Sequence, residues 1–473
     1  MKHQCSLLLV ALVALALPAT ADDRPNLILV TGDDMGFQLG CYGDTVATTP
    51  HMDRLAREGT RFTRGYITQA SCSPSRSSML TGLYPHQNGQ IGLAHLGYSM
   101  RPGTPTLPTL LKKAGYRTGI IGKLHVAPES SFDFDYKQVN TADTRDPKKV
   151  RAKCQAFLGG VDGRPFFLMV NFFDPHDPHL PDVGGSPKAK VTPEQAKVFP
   201  FMGTNTPALR QRVAEFTTCV NRVDEGVGVL MEVLRQHRLD TNTLLLLLGD
   251  NGPPMQRAKV TSFEAGVNVP FLAWWPGQVK PQVSDALVCS IDMMPTFLEL
   301  AEAAPPAGLP GRSLLTVLRG QPAPWREWLA TEYTTHEPRS LNPQRSIRDA
   351  RYKLTVTLLL DPAFSWPPEV PLEEYRKIQK RAATGEYLDL YDLQTDPCEF
   401  KNLAGQPDLK AVQDRLFQEL HDWRVQTQDP LLDLAALRDL VLKEKDAPPT
   451  PVPAWKKAKP AKPTAKRLKK ENA

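Results

Sequence analysis

The sequence contains few cysteines and lacks the cysteine spacing of a thiolate metal site or a redox motif. Seven cysteines are scattered over 473 residues, and no two of them are three positions apart. A zinc-thiolate site and a disulfide framework are therefore not indicated, although one or two disulfides remain compatible with an exported protein. No repeat of fixed period is visible. With a mean hydropathy of −0.33, the chain is not a multi-span membrane protein, a coiled coil or a fibrous protein.

The one long apolar run lies at the N-terminus. Residues 7–17 are apolar, Lys2 precedes them, and the small-residue segment Ala-Thr-Ala follows at 19–21. This order is typical of a secretory signal peptide and is too short for a membrane-spanning helix. We predict a signal peptide at 1–21, export to the periplasm or beyond, and no transmembrane anchor; a buried N-terminal helix is the alternative.

The positive charge of the chain is concentrated at its C-terminus. The formal net charge is +6, whereas residues 447–473 carry seven Lys, one Arg and one Glu. Without this segment and Lys2, the remainder has a net charge of −2. The body of the protein therefore lacks the positive charge that is typical of proteins that bind nucleic acids. The Pro/Lys/Ala composition predicts a disordered basic tail at 447–473.

Short apolar runs alternate with helical patterns through the first two thirds of the chain. The 44 prolines, against a usual share of about 5%, favour long irregular loops. The predicted strands are 26–31, 118–121, 166–172, 244–248 and 269–275, and the predicted helices are 50–58, 106–113 and 207–237. This alternation favours a doubly wound α/β sheet, in which binding sites collect at the carboxyl ends of the strands.

The pattern changes after about residue 322. Short strands are predicted at 328–333, 345–347 and 352–358, followed by a helix at 409–426. We therefore predict a catalytic domain at 22–322 and a smaller α+β domain at 323–446, ahead of the tail.

The most informative segment is 71–76, with the sequence Ser-Cys-Ser-Pro-Ser-Arg. Pro74 fits the first turn of a helix, which places Cys72 just before a helix N-terminus, where backbone N–H groups and the helix dipole favour anions. Arg76 adds a fixed positive group. An ordinary thiol in this position is expected to be acidified and reactive. A buried or bridged cysteine near a loop is the structural alternative.

The pattern Cys-x-Pro-Ser-Arg at 72–76 resembles the signature of the type I sulfatases. The resemblance implies an alkaline-phosphatase-like α/β fold with a mostly parallel sheet between helices. It also implies that a formylglycine-generating or sulfatase-maturating enzyme oxidises Cys72 to formylglycine (3-oxoalanine). The hydrated aldehyde has two hydroxyls on one carbon, so that one can attack sulfur and the other can expel sulfate. Arg76 is implied to be part of the catalytic machinery.

Two pairs of polar residues follow predicted strands and indicate a metal site. Asp33 and Asp34 follow the first strand, and Asp250 and Asn251 follow a later one. Each pair alone is more often a turn or a helix cap, but oxygen ligands of this kind suit Ca²⁺ or Mg²⁺. Together with Cys72, the resemblance implies a metal site formed by all five residues. We expect Ca²⁺, with Mg²⁺ as the alternative.

Four further residues match family motifs. The segment 122–125 resembles the family's Gly-Lys-x-His, 175–178 its Pro-His-x-Pro, and 259–264 its Lys-x-x-x-aromatic-Glu. The resemblance implies that Lys123 and His125 hold the formylglycine hydroxyls, with His125 as the base for sulfate release. His176 would face the sulfate and the leaving group, and Lys259 would bind a sulfate oxygen. His179 lies outside the matching frame.

Further stretches favour one branch of the family. Residues 84–89, 117–123, 164–168, 205–208 and 336–337 resemble enzymes that remove the N-sulfate of glucosamine from heparan-like glycans. Lys259 departs from that branch, because lysine at this position accompanies O-sulfatases. We therefore expect a sulfated carbohydrate substrate, most specifically sulfated glucosamine. The alternatives are an O-sulfatase on another polysaccharide, a phosphomonoesterase or phosphonate hydrolase, and a glycan-binding pseudo-sulfatase.

Deletion of residues 447–473 should leave the turnover of a small sulfated substrate unchanged but weaken binding to anionic polymers. The reason is that the excess positive charge lies in this segment, so the attraction should also fade as salt screens it. Salt-dependent elution from a polyanion column, measured beside turnover, tests this. Loss of folding on truncation would instead show that the segment docks against the body.

Overall fold

The computed structural model describes residues 22–322, 324–370, 387–448 and 450. The predicted signal peptide and nearly all of the predicted basic tail lie outside these residues. Within them, no helix combines the length and the apolar character needed to cross a membrane.

Residues 22–300 are built around one large sheet of eight strands. Its strands and two neighbours are β1 (Asn26–Gly32), β2 (Thr60–Phe62), β3 (Gly65–Tyr66), β4 (Arg117–Gly122), β5 (Tyr136–Gln138), β6 (Phe166–Phe172), β7 (Thr243–Gly249), β8 (Phe271–Trp274), β9 (Gln282–Ser284) and β10 (Val288–Cys289). The sheet has the order β5-β4-β6-β1-β7-β8-β2-β9, while β3 and β10 form a separate pair. β8 is antiparallel to both of its neighbours, whereas the other pairings of the sheet are parallel. The predicted mostly parallel sheet is confirmed.

Helices cover both faces of this sheet. They are α1 (Pro50–Glu58), α2 (Cys72–Thr81), α3 (Pro85–Asn88), α4 (Leu107–Lys113), α5 (Pro147–Leu158), α6 (Pro207–Gln236), α7 (Glu264–Val267), α8 (Met293–Leu300) and α9 (Leu315–Leu318). In β1, Leu27 and Leu29 point to the core shared with α2, α4 and α8. Ile28 and Val30 point to the core shared with α1, α5 and α6. A strand buried on both faces explains why its sequence is continuously apolar.

The C-terminal part is a small α+β unit, as predicted. Four strands, β11 (Leu329–Tyr333), β12 (Gln344–Arg348), β13 (Tyr352–Thr357) and β14 (Leu388–Asp392), form an antiparallel sheet in chain order. Two helices, α10 (Lys410–Gln426) and α11 (Leu434–Asp446), follow them. The sequence did not predict β14 or α11. The boundary between the two parts at about residue 322 stays a prediction.

One buried ionic network joins helix α3 to the C-terminal unit. The ring of His86 in α3 makes a short contact with Glu332 of β11. Arg345 of β12 lies 3.7 Å from the same carboxylate and donates two hydrogen bonds to Asp429, at 2.9 and 3.0 Å. Arg424 of α10 donates to Asp429 at 2.8 Å. Because all of these charges are largely buried and paired, removing one partner leaves the others uncompensated.

Replacing Asp429 by Asn should lower the free energy of unfolding by about 3–5 kcal/mol, the usual effect of breaking a buried ion pair from one side. Arg345 and Arg424 hold the pKa of Asp429 below its ordinary value although burial opposes them. The stabilisation is therefore present above about pH 4 and is lost only as the pH falls through this lowered pKa. Denaturant unfolding at pH 7 measures the effect.

The matched control is Asp414→Asn, which removes the exposed i,i+4 partner of Lys410 on α10. This change should alter stability by less than about 0.5 kcal/mol. Equal effects of the two substitutions would contradict the importance of the buried network.

Candidate active site

Four neighbouring parallel strands carry most of the predicted site residues at their carboxyl ends. In the order β4-β6-β1-β7, the strands are followed by Lys123 and His125, by His176, by Asp33 and Asp34, and by Asp250 and Asn251. Ligand sites of α/β sheets form at this edge. Residues far apart in the chain therefore meet because their strands are adjacent and point the same way.

Three buried carboxylates form the centre of the site. The backbone N–H of Asp34 donates to Asp250 Oδ1 at 2.8 Å, and the Asn251 amide donates to Asp34 Oδ1 at 2.8 Å. Asp33, Asp34 and Asp250 are each at most 1% exposed. Asp34 has a φ of 64°, in the left-handed region that Asp tolerates better than most residues.

Each carboxylate has its own cation. Lys123 Nζ lies 2.6 Å from Asp33, Lys259 Nζ lies 2.6 Å from Asp34, and Arg76 Nε lies 2.8 Å from Asp250. Arg76 is held inside α2, whereas Lys123 and Lys259 come from loops after β4 and β7. Such pairing is needed because an isolated buried charge is strongly destabilising.

The three carboxylates differ in proton affinity. Burial alone would raise the pKa of Asp33 and Asp34. The surrounding cations, led by Lys123 for Asp33 and by Lys259 for Asp34, together outweigh it, and both pKa values lie below their ordinary range. Burial, reinforced by Asp33, raises the pKa of Asp250 to about 7 despite the nearby Arg76. Asp250 is therefore the carboxylate whose charged form its surroundings stabilise least.

Cys72 lies beside this centre. It is the first residue of α2, whereas it was predicted to lie just before the helix, and its Sγ is 3.6 Å from Asp33 Oδ1 and 3.9 Å from Asp34 Oδ1. The expectation of an acidified thiol is wrong. Burial raises the pKa of Cys72 to about 12, and this outweighs the attraction of Lys123 and Lys259. The six cysteines of the described residues are all free.

His176 faces the same centre. Its Nε2 is 4.0 Å from Asp34 Oδ2, and its side chain is 27% exposed. Potential ligand atoms of Asp33, Asp34, Cys72 and His176 all lie within 4.8 Å of one another. His179 lies apart: its Nε2 is 3.5 Å from Asp177 and its ring packs against Phe216.

Two buried arginines fix the loop that carries His176. Arg222 of α6 donates to Asp174 at 2.7 Å, and Arg145 makes a short contact with the other oxygen of the same carboxylate. Arg145 also donates to the backbone carbonyl of His176 at 2.9 Å. The ring of Phe173 stacks on His176 with 4.9 Å between ring centroids. The position of His176 therefore depends on charges that sequence motifs did not single out.

The loop that carries Lys259 is also constrained. Val260 has a φ of 69°, unfavourable for a β-branched residue, and its N–H donates to the carbonyl of Ala70 at 2.8 Å. The N–H of Lys259 donates to Pro253 at 3.1 Å. The first of these bonds connects the Lys259 loop to the segment immediately before Cys72, and the second closes a turn within the loop itself.

Two histidines near the site were not predicted as site residues. His95 Nδ1 lies 2.7 Å from His125 Nε2, and His336 Nδ1 lies 2.8 Å from the hydroxyl of Ser71. His336 comes from the C-terminal sheet region, so that unit contributes to the surroundings of Cys72. Residues 336–337 resemble a family stretch to which the sequence assigns no role, whereas no motif contains His95.

The donor set fits a divalent cation that prefers oxygen. Three carboxylates converge, and Asn251 Oδ1 is a buried acceptor without a hydrogen-bond partner among the described residues. A hard cation such as Ca²⁺ or Mg²⁺ would satisfy this oxygen and could be bound by the neighbouring carboxylate oxygens. Asp33, Asp34, Asp250 and Asn251 are therefore suited to hold one.

Comparisons with known proteins agree with this geometry. A family model described as Sulfatase matches residues 25–303, more than half of the chain, and a model described as N-sulphoglucosamine sulphohydrolase, C-terminal, matches residues 258–360. Human N-sulphoglucosamine sulphohydrolase is 33% identical, over 94% of this chain and 97% of the human protein. An ulvan-active sulfatase of Formosa agariphila is 31% identical, over 85% of this chain and 80% of that protein.

Solved structures share the fold. A protein in complex with its substrate D-glucosamine-2-N,6-O-disulfate has a TM-score of 0.68 at 22% identity, covering 86% of this chain and 98% of the other. A phosphonate monoester hydrolase of Agrobacterium radiobacter has a TM-score of 0.67 at 19% identity, covering 85% and 96%. The predicted α/β fold with its small C-terminal unit is thereby confirmed.

Ca²⁺ should raise the thermal stability of the protein even when Cys72 is unmodified, because a bound cation relieves repulsion among the three carboxylates. At a hundredfold excess over its Kd, a ligand specific for the folded state adds about 2.7 kcal/mol. Calorimetry with Ca²⁺ and with chelator measures the shift. Asp34→Asn should reduce the calcium-dependent shift, whereas the exposed control Asp408→Asn should retain it. An unchanged melting temperature of the wild-type protein in Ca²⁺ and in chelator would refute the site.

Proposed function

The chain belongs to the sulfatase family, whose members hydrolyse sulfate esters or sulfamates, and from this membership we propose that its substrate is a terminal sulfated glucosamine of a heparan-like glycan. The support is the 33% identity with human N-sulphoglucosamine sulphohydrolase along nearly the whole of both chains. The match of residues 258–360 to the C-terminal model of that enzyme is a second argument. N-sulfate is the favoured linkage.

The proposed nucleophile derives from Cys72. As a thiol with a pKa raised by burial, this residue would be a weak nucleophile. Conversion to formylglycine would supply a hydrated aldehyde, whose one hydroxyl attacks sulfur and whose other hydroxyl allows sulfate to leave. A maturating enzyme is the partner that this proposal requires.

Three cations around Cys72 are proposed to bind and orient the sulfate group. Lys123 and Lys259 are among the charges that act most strongly on Cys72. Arg76 has a buried Nη2 without a hydrogen-bond partner among the described residues, which makes this N–H group a candidate donor to a sulfate oxygen. A divalent cation held by Asp33, Asp34, Asp250 and Asn251 would neutralise further charge on the sulfate.

Two histidines are proposed to move protons. His176 is partly exposed beside Asp34, and burial lowers its pKa, so it can hold a proton only weakly and donate it to the leaving amine. His125 is more deeply buried, and burial together with Lys123 lowers its pKa. A neutral His125 suits the role of base during sulfate release.

An O-sulfatase is the second candidate, and Lys259 favours it. A lysine beside Asp34 could stabilise developing negative charge on an alcohol oxygen, whereas an amine leaving group needs a proton. The relative at 31% identity is an ulvan-active sulfatase, so sulfatases at this level of similarity act on a different polysaccharide.

The proposal also covers the organisation of the chain. Residues 1–21 would direct export to the periplasm or beyond, residues 22–322 would form the catalytic domain, and 323–446 would support it. His336 gives the second unit a contact with the segment before Cys72.

Purified formylglycine-bearing protein should release sulfate from glucosamine N-sulfate with a higher kcat/KM than from glucosamine 6-sulfate or a galactose sulfate. Cys72→Ala, which cannot form the aldehyde, is the control and should release none. A much higher kcat/KM for either O-ester would overturn the N-sulfate assignment while retaining the sulfatase. The mass of the peptide containing Cys72 should be about 18 Da lower than that of the thiol form, because the aldehyde oxygen replaces the sulfur and two hydrogens of this oxidisable residue.

A further inference from the structure

His95 lies between His125 and the solvent. It belongs to a short 3-10 helix, Ala94–Leu96, and its side chain is exposed, whereas His125 is largely buried. The two rings are stacked, with 4.9 Å between their centroids and 26° between their planes. The distance of 2.7 Å between His95 Nδ1 and His125 Nε2 is that of a strong hydrogen bond.

Two hydrogen bonds fix the segment that carries His95. The N–H of Ala94 donates to the hydroxyl of Ser73 in α2 at 3.0 Å, and the N–H of Leu93 donates to the carbonyl of His336 at 3.0 Å. His95 is therefore attached both to the helix that begins at Cys72 and to the C-terminal unit. Its ring is held at a defined place relative to the proposed nucleophile.

The hydrogen bond restricts the proton positions in the pair. Burial and then Lys123 lower the pKa of both histidines, so both rings are neutral near pH 7 and each carries one N–H. Either His125 Nε2–H donates to His95 Nδ1, or His95 Nδ1–H donates to His125 Nε2. The two arrangements leave His125 Nδ1 with a lone pair or with a hydrogen, respectively.

The surroundings favour donation by His125. Its Nδ1 is buried and has no hydrogen-bond partner among the described residues, so a hydrogen on this atom would lack an acceptor. With the hydrogen on Nε2 instead, His95 Nδ1 accepts it, and the N–H of His95 is on its other nitrogen, on an exposed side chain. The buried Nδ1 of His125 then keeps the lone pair that a base needs.

We infer that His95 is a positioning residue that accepts a hydrogen bond from His125 Nε2–H and thereby keeps His125 Nδ1 available as the proton acceptor for sulfate release. The inference deepens the proposed function and rests on the role given there to His125. The carboxylate or carbonyl that commonly orients a catalytic histidine is here replaced by a second imidazole.

Nitrogen-15 NMR of histidine-labelled, unmodified protein tests the inference without any turnover. His125→Asn assigns the signals of His125. Wild type should show His125 as the Nε2–H form alone. His95→Phe keeps a stacking ring but removes the acceptor, so both tautomers of His125 should become populated; His95→Asn, whose Oδ1 can accept, should restore the single form. The exposed control His237→Phe should leave it unchanged. An unaltered His125 tautomer in His95→Phe overturns the inference.

Kinetics of the formylglycine-bearing protein separate positioning from substrate contact. His95→Phe should lower kcat by roughly 10- to 100-fold with KM unchanged, the usual size of such outer-shell effects, and His95→Asn should recover most of the loss. A raised KM with unchanged kcat would make His95 a substrate contact instead and overturn the inference. If wild type released no sulfate from any substrate, the proposed function would fail, while the NMR result would still decide whether His95 fixes the tautomer.

Discussion

The accumulation of negative charge at one edge of the sheet is the constraint on which the site depends. Asp33, Asp34 and Asp250 are buried within contact of one another because β1 and β7 are adjacent and parallel. Three cations compensate them, and each cation is distant in the sequence from the carboxylate with which it pairs. The positions of α2 and of the loops after β4 and β7 are thus fixed electrostatically as well as by apolar packing.

The C-terminal unit takes part in this arrangement. Lys353 of β13 lies 2.9 Å from Glu399 and 3.2 Å from Glu264, at the start of α7, five residues after Lys259. The N–H of Glu264 donates to Glu399 at 2.6 Å. The loop that delivers Lys259 is therefore held from one side by the segment before Cys72 and from the other by the second sheet, which explains how it can maintain the unfavourable backbone of Val260.

Most of the architecture followed from apolar periodicity, because buried parallel strands are continuously apolar and their helices have clear caps. The strands β1, β4, β6 and β7 were predicted within about one residue, and with them the edge where Asp33 and Asp250 meet. Elements that were missed include β2, β5, β9, α5, α8, β14 and α11. Most of them are short or largely exposed, and such elements carry a weak periodic signal. The acidity of Cys72 was also predicted with the wrong sign, because a helix N-terminus can be recognised in a sequence but the depth of burial cannot. His95 could not be found at all: its role depends on a contact across 30 positions.

The depth of Cys72 has a consequence for the order of events in the life of the chain. The residue is 1% exposed, at the start of a helix whose ten residues are all buried. An enzyme that modifies its thiol needs access to the surrounding backbone, and the folded protein offers none. If Cys72 is converted to formylglycine as proposed, this conversion and folding would be competing fates of the nascent polypeptide, and the conversion would have to precede the docking of α2. A substitution that speeds folding without altering the active site would then lower the fraction of molecules in which Cys72 has been modified. The specific activity of a preparation would therefore depend on how fast its molecules folded as well as on their final structure.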